Sequence, residues 1–220
     1  MKAPRTCAVL IPAFNEAAGV ADVVRVALES GLGTVLVVDD GSEDGTADEA
    51  RRAGASVLEL DRNEGKGGAV AAGVRALDSD VVVLLDADLV GLTVKHLRDL
   101  AAPVLADTVD MTRGVFEGGR WSTTAAQKML PQLNGQRAVR RELLVSLREL
   151  KESRYGIEVV ITEGAKDGGW RVRDVPMDGV TQRMKEEKLG FMKGMALRLK
   201  MYGDIFRTLT GAGRQEEEES

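Results

Sequence analysis

The chain has 220 residues, 44% of them hydrophobic and 30% charged, which is the composition of one globular domain with a buried core. Its net charge is −5, and Glu216 to Glu219 supply four negative charges, so the body is close to neutral and no nucleic-acid partner is expected. One cysteine, Cys7, excludes an internal disulfide and a cysteine-based zinc site, and one histidine, His96, excludes histidine triads and histidine-rich metal centres.

Along the chain, Cys7 to Ile11 is a short apolar run closed by Pro12, which predicts a strand and is too short for a signal peptide. After Asn15, Val20, Val23, Val24 and Ala27 recur at i, i+3, i+4 and i+7, one buried face of a helix. Val35 to Val38 is an unalternating apolar run, as in a parallel strand covered on both sides. Thr46 to Ala53 predicts a helix, Ser56 to Leu60 a third strand, and Val70, Gly73, Val74 and Leu77 another helical face. Val81 to Leu85 is a fourth strand, ending at Asp86.

The second half is less regular. Val139, Leu143, Leu147 and Leu150 predict a helix and Trp170 to Val175 a strand, while Ile157 to Ala165 suits either. Gly114 to Thr124 reads as a loop, and the acidic tail 211–220 as a disordered segment. No run reaches the ~20 apolar residues of a membrane span, so a soluble, cytoplasmic protein is expected. Strands alternating with helices predict an α/β fold with an open, mainly parallel sheet flanked by helices.

In such sheets, functional groups collect beyond the carboxyl ends of the strands. Three of the four strand ends carry polar groups: Asn15-Glu16, Asp39-Asp40 and Asp86-Ala87-Asp88. The last pair could hold Mg²⁺ or Mn²⁺ through one or two carboxylates and substrate phosphates, or be a solvated turn. A carboxylate of Asp39-Asp40 could accept hydrogen bonds from a nucleobase or ribose, or form an Asx turn with Gly41. Asn15 suits the N-cap of the first helix, with Glu16 near its dipole. Asn63 to Gly68 is a glycine-rich turn with one cation, Lys66, and reads as a strand-to-helix connection that could also face a phosphate. His96 reads as a surface helix residue.

Val9 to Glu16, Val37 to Ser42, Asn63-x-Gly65-Lys66-Gly67 and Leu85 to Asp88 together resemble the family 2 glycosyltransferases in order and spacing. The branch they are most similar to is the dolichyl-phosphate mannosyltransferase type. The resemblance continues more weakly through Asn134 to Arg137 and Tyr155 to Glu158 to about Pro176. It implies a GT-A (Rossmann-like) fold, with a nucleotide-sugar-binding half at 7–90 and an acceptor half at 91–180. It implies transfer of a sugar, with inversion, from a UDP- or GDP-sugar to a phosphate or hydroxyl acceptor, either a small molecule or a lipid phosphate such as polyprenyl phosphate. By the same resemblance, Pro12, Ala13, Glu16, Asp40 and Lys66 line the nucleoside pocket, Asp86 faces ribose or metal, and Asp88 is the principal ligand of Mg²⁺ or Mn²⁺. Arg137 approaches the diphosphate or an anionic acceptor. Some relatives add a histidine or glutamine to the metal shell. Position 90 is Val here, which leaves Gln182 as the candidate ligand.

A hydroxyl acceptor would need a carboxylate base, for which Glu158 is a candidate alongside a surface salt-bridge role. From Arg183 to Arg207 there are seven Lys/Arg and three Asp/Glu, with Phe191, Met195, Leu199, Tyr202 and Phe206 interleaved. This basic amphipathic segment, within 181–210, suits peripheral contact with the inner membrane face, packing on its own domain, or a homodimer. Rival readings are a sugar-phosphate nucleotidyltransferase, a non-catalytic nucleotide-sugar binder and, more remotely, a receiver-like signalling domain.

Overall fold

A computed structural model describes residues 5–116, 135–153 and 156–183. Its centre is a seven-stranded sheet of order β3-β2-β1-β4-β7-β6-β8. The strands are β1 (Cys7–Ala13), β2 (Gly33–Asp39), β3 (Ser56–Glu59), β4 (Val81–Leu84), β6 (Met111–Val115), β7 (Arg137–Arg140) and β8 (Val172–Pro176). β3, β2, β1 and β4 are mutually parallel, β7 runs antiparallel to both its neighbours, and β6 and β8 are parallel to each other. A separate ribbon pairs β5 (Leu89–Val90) with β9 (Thr181–Gln182).

Both sheet faces are covered, which is why the central strands read as unbroken apolar runs. Alternation along β1 sends Val9 and Ile11 into one core and Ala8 and Leu10 into the other. The first core includes residues of α1 (Val20–Glu29), α2 (Thr46–Arg52) and α4 (Val94–Leu105). The second includes residues of α3 (Gly65–Ala76), α5 (Arg141–Ser146) and α6 (Ile157–Asp167). Gly73 of α3 lets that helix lie against the sheet: a Cβ there would fall 2.3 Å from a Leu10 methyl.

The buried face of α1 is Val20, Val23, Val24 and Ala27, as the periodicity predicts. Four expectations need correction. β1 continues through Pro12 to Ala13, because Pro12 needs no N–H to stay in register opposite Val38. The cap of α1 is Gly19, not Asn15, whose backbone is left-handed (φ 53°) and whose side chain accepts from Glu43 N instead. The run Val139 to Leu150 is not one helix. Val139 lies in β7, and the rest divides into α5 and a 3-10 turn, Arg148–Leu150. Gly114, read as loop, lies within β6, and residues 117–124 fall outside the described set. Ile157–Asp167 resolves as a helix. His96 is half-buried and closes a capping box at the start of α4: Thr93 Oγ1 accepts from its N–H, and its Nδ1 accepts from Thr93 N.

Strands from before and after position 90 belong to the same sheet, β4 pairing with β7. Because β7 is reversed, its start lies at the same end of the sheet as the close of β4, with Arg137 opposite Leu84. That reversal brings Gly135 and Gln136 to the Asp86 end.

Candidate functional site

β1, β2 and β4 end side by side, and each end delivers acidic or polar groups. After β1, Glu16 is buried, and at the close of β2, Asp39 and the following Asp40 are each 3% exposed. Asp39 Oδ1 accepts from Ser42 N at 2.9 Å, closing the turn that the sequence suggests. Asp40 does something different. Its Oδ1 accepts from Glu64 N at 2.7 Å and its Oδ2 from Gly65 N at 2.8 Å, so it anchors the glycine-rich turn at the start of α3.

That turn aims Lys66 at the mouth of β4. Lys66 Nζ lies 2.6 Å from Asp86 Oδ1 and 2.5 Å from Glu158 Oε1, one cation between carboxylates from different halves of the chain. Burial opposes the charged lysine, but the two carboxylates more than offset it and hold the ammonium above the usual lysine range. Burial likewise opposes an ionised Asp86. Lys66, then the amides of Gln136 and Gln182, hold its carboxyl below the usual value. Both amides donate to Oδ2, Gln136 at 2.9 Å and Gln182 at 2.8 Å. Asp86 is therefore an ionised hub with donors on both oxygens.

Gln182 reaches this position because β9 pairs with β5, setting Gln182 opposite Leu89, while Arg183 N donates to Asp88 O at 2.8 Å. Asp88 is 9% exposed at the same strand mouth. The first loop packs beneath it: a Cβ on Gly19 would fall 2.9 Å from Ala87 O. The backbone comes equally close at Gly135, where a Cβ would lie 2.7 Å from both Asp86 Oδ1 and Lys66 Nζ. Gly135 and Gln136 were legible only as part of a weak motif, and nothing in the sequence assigned either to the Asp86 cluster.

Arg137 has no exposed surface. Its guanidinium donates to Thr162 Oγ1 at 3.1 Å and to Glu158 O at 3.2 Å, bracing the first turn of α6, which carries Glu158. Burial lowers its pKa to about 10. Pro12, Lys66, Asp86, Gly135, Arg137 and Glu158 share the lining of a small pocket behind the strand ends. Ala13, buried at the close of β1, meets Asp40 through its carbonyl, which accepts from Asp40 N at 2.9 Å.

Among the described residues, no three acidic, histidine or cysteine side chains gather closely enough to hold a metal alone. Asp88 and the Gln182 amide oxygen, the two ligands the resemblance implies, would offer oxygen atoms only. That suits a hard cation which takes its remaining ligands from phosphate and water.

The profile of the family described as "Glycosyl transferase family 2" matches residues 8–153, most of the described chain. The chain belongs to glycosyl transferase family 2. Within the family it is similar to a glucosyl-3-phosphoglycerate synthase of Mycolicibacterium smegmatis, 29% identical over 82% of this chain and 69% of that protein. It is also similar to glycosyltransferase AglJ of Haloferax volcanii, 39% identical over 40% of this chain. The crystal structure of Mycobacterium tuberculosis glucosyl-3-phosphoglycerate synthase with Mn²⁺, uridine diphosphate and glucosyl-3-phosphoglycerate superposes with a TM-score of 0.72. It is 27% identical, over 92% of this chain and 81% of that one. The sequence match spans 60% of a curated M. tuberculosis synthase and 29% of AglJ. The architecture is the GT-A fold, and family membership removes the receiver-like reading.

Proposed function

We propose that the chain is a metal-dependent glycosyltransferase that moves a sugar from a nucleoside-diphosphate sugar to a small phosphate-bearing acceptor. One observation carries the reading. Just beyond β4, Asp86 is held by Lys66 and Gln182, with Glu158 on the same lysine and Asp88 two residues on, at the strand-end crevice of a fold that superposes on a complex holding Mn²⁺ and uridine diphosphate. Relatives named for glucosyl-3-phosphoglycerate, one of them solved with Mn²⁺, UDP-glucose and phosphoglyceric acid, favour UDP-glucose as donor and phosphoglycerate as acceptor.

In this reading Pro12, Ala13, Glu16 and Asp40 form the nucleoside side of the crevice. Asp88, with Gln182 through its amide oxygen, holds Mg²⁺ or Mn²⁺, which would supply charge stabilisation for the departing diphosphate. Asp86 orients Gln182 and meets the ribose side. Lys66 pairs with both Asp86 and Glu158, so the two neighbouring carboxylates are not left as unpaired charges in a largely enclosed site. Glu158, fixed by Lys66 and by Arg137 beneath its backbone, faces the sugar and acceptor hydroxyls. Arg137 serves the anionic acceptor by setting this helix rather than from an exposed position. Displacement at the anomeric carbon is direct and inverting, and the anomeric coupling in the product's proton spectrum reads the outcome.

A second acceptor class rests on the motifs shared with the dolichyl-phosphate mannosyltransferase branch and on the basic segment 183–207, of which 184–207 lies outside the described residues. A lipid phosphate, reached by peripheral membrane contact or through a homodimer, would suit it. No helix among the described residues is long and apolar enough to cross a membrane.

The test is release of nucleoside diphosphate from UDP-glucose or GDP-mannose with Mn²⁺ and either 3-phosphoglycerate or polyprenyl phosphate in liposomes. Nucleoside diphosphate released with a soluble glycoside supports the first acceptor class, and a glycolipid supports the second. Release of pyrophosphate from a nucleoside triphosphate and a sugar phosphate would make the chain a nucleotidyltransferase instead. Binding without turnover would leave a nucleotide-sugar binder.

A further inference from the structure

Three backbone donors of the loop after β1 are held by side chains from the loop after β2 and from Thr46, the first residue of α2. Asn15 N donates to Ser42 Oγ at 2.9 Å, Glu16 N to Thr46 Oγ1 at 2.9 Å, and Ala17 N to Asp44 Oδ2 at 3.1 Å. Three successive backbone donors are thus taken by three side chains within five residues of each other. The exchange is returned once, by Asn15 Oδ1 accepting from Glu43 N at 3.0 Å. Asn15 adopts φ 53°, a left-handed conformation that Asn tolerates better than most residues and that aims its N–H at Ser42.

Asp44 and Thr46 are the centre of this clasp. Thr46 is fully buried, and its hydroxyl donates to Asp44 Oδ1 at 2.5 Å, which frees the hydroxyl oxygen to accept from Glu16 N. Asp44 Oδ1 also accepts from Thr46 N at 3.1 Å. Burial works against the charge on Asp44, yet the Thr46 hydroxyl and the N–H groups of Ala17 and Thr46 hold its carboxyl below the usual range. Because these donors are consumed internally, the loop has no backbone N–H at 15, 16 or 17 left for a phosphate. The same bonds set where the loop carries Glu16, so the position of Glu16 depends on them.

We propose that Asp44 and Thr46 are positioning residues for the nucleoside of the donor. Through the Asp44–Thr46–Glu16 relay they fix the wall that carries Ala13 and Glu16. This rests on the nucleotide-sugar reading given above. It extends that reading to two residues outside the strand-end motifs themselves, acting through the backbone of Glu16 and Ala17.

The experiment measures binding of UDP and UDP-glucose with Mn²⁺ by calorimetry, together with thermal melting, for wild type and for Asp44→Asn, Thr46→Val, Thr46→Ser and Ser42→Ala. Thr46→Ser keeps the hydroxyl relay and Thr46→Val removes it at nearly the same volume. Ser42→Ala removes a single outer hydrogen bond and keeps the comparison usable if Asp44→Asn does not fold. The expected result is about tenfold weaker UDP binding in Asp44→Asn and Thr46→Val, recovery to within about twofold of wild type in Thr46→Ser, and an intermediate loss in Ser42→Ala. Turnover at saturating UDP-glucose should change less than donor KM, with acceptor KM unaltered. Folded Thr46→Val and Ser42→Ala proteins that bind UDP as wild type does would overturn the clasp. Wild type that binds no UDP- or GDP-sugar would overturn the nucleotide-sugar reading itself.

Discussion

Gln182 donates its amide hydrogen to Asp86 Oδ2 at 2.8 Å, across 96 positions of sequence. The contact fixes which end of the amide faces the acid. With Nε2 on Asp86, Oε1 is the atom left for the cation proposed at Asp88, and ligand orientation of this kind typically governs metal affinity by ~10–100-fold. Gln182→Ala should weaken Mn²⁺ binding in the presence of UDP at least about tenfold. It should leave UDP affinity without metal unchanged. Calorimetric titration of Mn²⁺ at fixed UDP reads this, and equal Mn²⁺ affinities would place Gln182 outside the metal shell.

Gly135→Ala tests how closely the start of β7 must approach the acid. The added methyl would press on Asp86 and Lys66 at 2.7 Å, contacts that real Cβ atoms do not make. The expected cost is about 1–3 kcal/mol of stability, typical of overpacking. A larger proportional loss of UDP-glucose turnover should follow from displacement of Lys66. A variant with wild-type melting temperature and activity would show that the backbone gives way without disturbing the cluster.

Lys66→Met removes the cation between Asp86 and Glu158. Uncompensated buried charge costs ~3–5 kcal/mol, and the partial exposure of this cluster should reduce that to about 2 kcal/mol in urea denaturation. Lys66→Arg, which keeps the charge but not the compact ammonium, should recover part of the stability and less of the activity. If Lys66→Met were as stable as wild type, the pairing would have no energetic weight.

At the opposite end of the sheet, Asp110 is held in place by Arg171 and Arg140. Arg171 donates to it through Nε and one terminal nitrogen, both at 2.9 Å, and Arg140 lies 2.8 Å away. Hydrogen bonds from Arg171 lower its carboxyl to about 2. Since the folded value lies below the unfolded one of ~3.9, its stabilisation is complete above pH ~4 and is lost as pH falls toward 2. Asp110→Asn should lose about 1 kcal/mol at pH 7, with the deficit closing between pH 4 and 2, and should keep wild-type kinetics. A deficit that does not vary with pH would remove the charge from the explanation.

Much of the first ninety residues was legible because β1 and β4 are covered on both faces and α1 carries a single apolar stripe, so periodicity and burial agree. The same logic misread Val139 to Leu150. β7 is only four residues long, and its apolar spacing happens to continue that of α5, so a helical period spans a strand-to-helix junction. Asp88 could be singled out by its place after a buried strand. Gln136 could not, since its role depends on the antiparallel insertion of β7 beside β4, which no local pattern encodes. Asn15 suits a cap on composition, but the tertiary clasp with Ser42 and Glu43 uses its left-handed backbone instead.

The central claim is a metal-dependent donor site organised on Asp88. Thermal melting of wild type and Asp88→Ala with UDP, GDP and their sugars, each with and without Mn²⁺, tests it most directly. The account predicts stabilisation of wild type by a UDP ligand that requires Mn²⁺ and disappears in Asp88→Ala. Stabilisation that persists in Asp88→Ala, or none from any of these nucleotides, would contradict it.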